Sequence, residues 1–166
     1  MPIENFRWLA GLVAAHPDGR VVGRTRLQKE LKLLQRVGFP TDYSYTIHFY
    51  GPYSEGVQAD IGLLDAFGFV DETPKTTEDG KPYYVLHAKA GSSLAEVENF
   101  RPQIDLLASA SPLSLELAAT YDAFREAGAD HAEALSRLRG KKASKCNALS
   151  ERQAFELLQS LGLPHA

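Results

Sequence analysis

A chain of 166 residues can bury one good core, or one small domain with an appended subdomain. With 44% hydrophobic and 23% charged residues it is no disordered tail, and no run approaches the roughly 20 apolar residues that span a bilayer. A net charge of -3 and a pI near 5.9 give no global pull toward nucleic acid, so local charge must carry any such reading.

The opening MPIENFRWLAG carries an acid where a secretory leader needs basic residues and a longer apolar stretch, and a cytoplasmic location is expected. The one cysteine, Cys146, cannot form an internal disulfide, which agrees with a reducing compartment. Lys142 and Lys145 beside it would lower its pKa, but a lone thiol in a basic loop reads as incidental.

Residues 3–15 read as a helix, because Phe6, Leu9, Leu12 and Val13 recur at helical spacing. HPDG at 16–19 ends it, and Arg20 to Gly23 leaves room for a short strand centred on Val21 and Val22. Thr25 and Gln28 have the spacing of a capping box, which predicts a helix over about 26–37. On that helix Leu27, Leu31 and Leu34 form a buried stripe, backed by a ridge of Lys29, Lys32 and Arg36. From Arg20 to Arg36 there are six basic residues, Arg20, Arg24, Arg26, Lys29, Lys32 and Arg36, against one acid, Glu30. Such a run is either a solvated face or a surface that meets phosphates or an acidic partner.

Gly38, Phe39 and Pro40 break that helix, and Tyr43 to Phe49 alternates as a half-buried strand, with Tyr43, Tyr45, Ile47 and Phe49 on one face. Gly51 and Pro52 turn the chain into Ser54, an N-cap, with Glu55 in the first turn of a helix over 55–67. Val57, Ile61 and Leu64 form its buried side, and the opposite side, Glu55, Ala59, Gly62 and Ala66, is small. Gly68 closes it. Phe69, Val70 and Tyr83 to Leu86 then flank a polar loop tipped by Asp79 and Gly80, which predicts a β-hairpin. After AGSS, a hinge, the chain reads as helical near 94–109, 113–127, 130–139 and 149–161, with Pro102 interrupting the first and Pro112 starting the second. Arg137, Arg139, Lys141, Lys142 and Lys145 form a second basic cluster, expected in an exposed loop.

The expected fold is therefore mainly α with a small antiparallel β-hairpin: a winged helix-turn-helix domain over 1–89, and a C-terminal helical extension over 90–166 packed on it.

The segment GRTRLQKELKLLQRVGF, followed by YTIHFYGPYSEGVQADIGLLDAFGFV, resembles the YwgA-like family of small bacterial and archaeal winged-helix proteins. The shared features are a basic LQK helix, a YGPYS turn, and a helix ending in a glycine and a strand. LELAATYDAF and the last helix extend the likeness, which is looser in the hairpin and around 90–112. More distantly, the LQK and YGP elements are similar to the Panacea domain, found in antitoxins including the SocA type. That resemblance implies a non-catalytic module that binds a protein partner, commonly a toxin, and it brings no catalytic residues.

A non-enzymatic, antitoxin-like regulatory protein is accordingly expected, with Lys29, Lys32, Arg36, Tyr50, Tyr53, Glu55 and Gln58 meeting a protein partner. The alternative is a DNA-binding regulator that uses Arg20, Arg24, Arg26, Lys29, Lys32 and Arg36 with the wing residues Lys75 and Lys81. Against base readout, helix 55–67 offers Gln58 but also Glu55, Asp60 and Asp65. Its small face suits close approach of another backbone, although the C-terminal helices are the expected cover. A homodimer through residues 94–127 is a further option.

No cofactor or metal is expected. Five scattered histidines include no recognised ligand spacing, and His131 with Glu133 lacks the C-x-x-C of a deaminase. There is no phosphate-cradling glycine loop and no nucleophile elbow. His48 beside Tyr50 and Tyr53 is the best remaining polar cluster for a small-molecule or enzymatic site.

Overall fold

Helix α1 (Asn5–Ala15) turns Trp8, Leu9, Leu12 and Val13 inward, as their spacing predicts. In the computed structural model, which describes residues 2–48 and 51–166, a 3-10 turn at Pro17–Gly19 then leads into β1 (Arg20–Val22). Phe49 and Tyr50, given roles above, lie outside the described residues.

Helix α2 (Arg24–Arg36) follows Gly23 with no side-chain cap, so the Thr25–Gln28 capping box does not form. Gln28 is drawn inward instead. Its amide donates to the Ser54 carbonyl at 2.8 Å and its oxygen accepts from the Ser54 backbone N–H at 2.9 Å, tying α2 to the turn before the next helix. A larger departure concerns the charged ridge. Every residue from Leu27 to Leu34 is buried, including Lys29 and Lys32, so α2 is enclosed on all sides rather than amphipathic toward solvent.

The expected strand over Tyr43 to Phe49 contracts to β2 (Thr46–His48), paired antiparallel with β3 (Gly51–Tyr53). The alternation survives in burial: Tyr43 is buried and Tyr45 and Ile47 half-buried, while Ser44, Thr46 and His48 are exposed. Helix α3 (Glu55–Ala66) is capped by Ser54, whose hydroxyl accepts from the Val57 N–H at 3.3 Å, and it buries Val57, Ile61 and Leu64. Strands β4 (Val70–Thr76) and β5 (Pro82–Ala88) form the expected hairpin. With β1 they make a three-stranded antiparallel sheet of order β1-β5-β4, in which Val21 faces Leu86 and Val70 faces Ala88.

The C-terminal half begins with a 3-10 turn over Ala95–Phe100, packed so closely on α1 that a Cβ at Gly11 would lie 2.8 Å from Val97 Cγ2. Helix α4 (Arg101–Ser109) then starts with Pro102 in its first turn, so this proline opens a helix rather than interrupting one. Helices α5 (Pro112–Glu126), α6 (His131–Lys141) and α7 (Ala148–Ser160) are capped by Ser111, Asp130 and Asn147. The second basic cluster is not an exposed loop. Arg137, Arg139 and Lys141 belong to α6, Lys142 is buried, and Arg139 forks onto Glu151 at 2.8 Å.

One hydrophobic core runs through both halves, from Leu9 and Leu12 through Leu31 and Leu34 to Leu117, Tyr121 and Leu158. The architecture is mainly helical with small antiparallel sheets. Among the described residues, no helix is long and apolar enough to cross a membrane.

Candidate functional site

The β2–β3 hairpin stands against α2 and α5 because Gly51 has no side chain. Its φ of +99° favours glycine, and an added Cβ would lie 2.7 Å from Thr120 Oγ1 and 3.6 Å from Lys29 Cε. Thr120 in turn donates its hydroxyl to the Glu116 carbonyl at 2.7 Å. This close seat leaves a cavity of about 620 Å³ between α2, the hairpin, the first turns of α3 and the end of α6. Its walls include Arg24, Lys29, His48, Tyr53, Gln58 and Lys141. A second cavity of about 490 Å³, between α2, the β4–β5 hairpin and α5, shares Thr25 and Lys29 with the first.

One part of the lining is aromatic: the His48 and Tyr53 rings stack with centroids 4.8 Å apart. The other carries charge. Arg24 forks onto the Glu72 carboxylate and lies over the Tyr84 ring at 5.0 Å. Lys29 is only 4% exposed, and burial pushes its amine down to about 8. Attraction to Glu116 opposes that shift, while Lys142 and Lys145 add to it. Glu116 receives Lys142 Nζ at 2.9 Å and Lys145 Nζ on both oxygens at 2.9 Å. Burial works against its ionisation, but these two ammonium groups win and hold it below the usual carboxylate range.

The structure thus brings Arg24, Lys29, His48, Tyr53, Gln58 and Lys141 to one cavity, and places the other described residues of the expected sites elsewhere. Lys32 and Arg36 enter a different seam, facing α5: Lys32 Nζ meets Glu126 at 2.7 Å, and Arg36 Nε meets Asp122 at 2.8 Å. Arg26 turns inward to the carbonyls of Leu107 at 3.0 Å and Ala110 at 2.6 Å. Of the exposed ridge expected on α2, Lys32 and Arg36 are therefore paired with acids of α5, while Lys29 is buried at the cavity. Arg20, Lys75 and Lys81 are exposed, and Lys81 lies 3.8 Å from Asp79. Glu55 is exposed on α3, outside the cavity.

The α3 face is also placed differently from expectation. Glu55, Ala59, Gly62 and Ala66 are all exposed, and nothing lies within 4 Å of a Cβ built at Gly62, so the C-terminal helices do not cover it. Leu63 at 41% and Phe67 at 59% exposure extend that face.

Sequence reasoning missed Glu116, Thr120 and Glu72 as parts of the site. Glu116 had a signal, as the lone acid in the otherwise apolar and small LSLELAAT stretch.

Comparison with known proteins adds a relative but no activity. The chain is similar to the uncharacterized protein YwgA of Bacillus subtilis (strain 168). The two are 31% identical over 108 residues, 62% of this chain, and the match spans 65% of the relative's length. This likeness to YwgA supports a YwgA-like family. No family model matches the chain.

Proposed function

We propose that the protein is a non-enzymatic regulatory binding protein on a winged-helix frame, docking a partner protein through the outward face of α3. Apart from the β2–β3 hairpin inserted between α2 and α3, the order helix, strand, helix, helix and hairpin with strand order β1-β5-β4 suits such a frame, and α3 then holds the position from which these folds read DNA. The observation that carries the reading is the surface of that helix. Leu63, Phe67, Gly62 and Ala66 lie open to solvent beside the exposed acids Glu55 and Asp65, and the helix has no Lys or Arg. Phosphates are repelled there. A protein segment with an apolar anchor flanked by Lys or Arg is complementary to it. The Panacea likeness makes a toxin one partner of that kind.

A DNA-binding reading has the exposed cations Arg20, Lys75 and Lys81 in its favour, on or beside the sheet. It lacks the α2 ridge, whose Lys32 and Arg36 face α5.

A photo-crosslinking side chain at Leu63, with one at the exposed Arg152 of α7 as control, tests the reading. In its own host the Leu63 probe should capture one protein that the Arg152 probe does not. The purified pair should then lose affinity by roughly tenfold or more in Glu55→Lys/Asp65→Lys. No selective crosslink from Leu63 would sink the proposal, and nucleic acid released by Lys75→Glu/Lys81→Glu would establish the DNA-binding alternative instead.

A further inference from the structure

We infer that the cavity between α2, the β2–β3 hairpin and the end of α6 binds a small aromatic phosphate, with Lys29 as the cation that receives its anionic group. The site is separate from the α3 face and does not depend on it.

Lys29 is the cation at the centre of this cavity. The residue is more than nine-tenths buried and lines both cavities, and its ammonium, which makes no hydrogen bond among the described residues, stays open to the solvent that fills them. Its stem is buried and only its charged tip is wet, so the cation is partly desolvated and has no protein acceptor. Glu116 is the carboxylate that attracts it, yet both Glu116 oxygens already receive lysine ammonium groups. Three lysines therefore surround one carboxylate. Lys141 adds a further positive charge on the cavity wall. A cleft with low-dielectric walls focuses such an excess onto whatever enters it. An anion entering the cavity would replace the water on that ammonium with a charged acceptor.

The opposite wall selects the rest of the ligand. The stacked His48 and Tyr53 rings, with Ile47 and Pro52 beside them, make this lining aromatic and mostly apolar, the surface on which an aromatic ligand body packs. A volume of about 620 Å³ falls within the roughly 300–1,000 Å³ typical of small-molecule sites. Inorganic phosphate alone would leave most of that space unfilled, whereas a nucleoside monophosphate matches both the charge and the aromatic lining.

Calorimetric titration of the full chain with phenyl phosphate, AMP, GMP, CMP and inorganic phosphate tests the assignment. At least one of the aromatic phosphates should bind roughly tenfold or more tightly than inorganic phosphate. Lys29→Met should lose roughly tenfold or more of that affinity while its melting temperature rises, because the variant removes a charge that burial disfavours. Lys29→Arg should keep most of the binding, and Tyr53→Ala should abolish the preference for an aromatic body over inorganic phosphate. The inference is overturned if no aromatic phosphate binds, or if Lys29→Met binds as the parent does. Should Lys29→Met fail to melt cooperatively, Lys29→Gln takes its place, and unchanged binding there is equally fatal.

Discussion

His16 shows how one buried side chain ties stability to pH. It is 5% exposed, with Nδ1 2.8 Å from the Leu12 carbonyl and Nε2 2.6 Å from the Glu30 carboxylate. The Leu12 carbonyl can only accept, and an ionised Glu30 carboxylate likewise, so this pair of partners favours the imidazolium, in which both ring nitrogens donate. Burial opposes that charge, but the Glu30 hydrogen bond and charge, with the Leu12 carbonyl, outweigh it and raise the pKa above 6.5. A base whose folded pKa exceeds its unfolded value contributes stability that is fully present below about 6.5, and it loses that contribution as pH rises through the folded value. Replacing His16 by Gln leaves Glu30, fully buried, with only Arg26 at 3.4 Å. The expected loss is about 2–4 kcal/mol at pH 5.5, shrinking as pH rises above 6.5. Urea unfolding of both proteins from pH 5.5 to 9 measures it. A gap that stays constant with pH would contradict the imidazolium.

Among the elements, α2 and the β2–β3 hairpin decide where the site lies. Gly51→Ala should destabilise by about 2–4 kcal/mol, from strain at positive φ and from the approach to Thr120 Oγ1. Adding Thr120→Ala relieves the second source and not the first. The double variant should therefore be more stable than additivity predicts, by ~1 kcal/mol in chemical unfolding. Local periodicity made much of this level legible: the Leu27, Leu31 and Leu34 stripe, the Ser54 cap, and the tyrosine alternation. Those features depend on residues within a few positions of each other. The fate of the α2 cations was illegible for the opposite reason. Lys32 and Arg36 meet acids 94 and 86 residues downstream, and no count over 20–36 contains them. Gln28 misled in the same way, since its spacing from Thr25 fits a cap while its actual partner is Ser54, 26 residues on. At the site, Lys29, Tyr53 and Gln58 were legible as candidates, but Glu116 enters only when α5 folds back across α2.

At the scale of the whole molecule, the two halves share one core, with α5 packed across α2. A fragment covering residues 1–89 would strip α5 from α2 and leave Lys32 and Arg36 without their acids. We expect it to show no cooperative unfolding by circular dichroism, and to regain a melting transition when 90–166 is supplied in trans. A stable isolated fragment would mean that the α2–α5 seam is a veneer rather than part of the core. The same seam has a consequence in time. Because the acids for α2 are encoded some 90 residues later, a ribosome working at ~5–20 residues per second would present the helix to the cell for several seconds before its covering arrives. During that interval the nascent chain carries an exposed cationic, leucine-rich helix, the kind of surface that chaperones and nucleic acids hold. Its folding in vivo is thus paced by translation of α5.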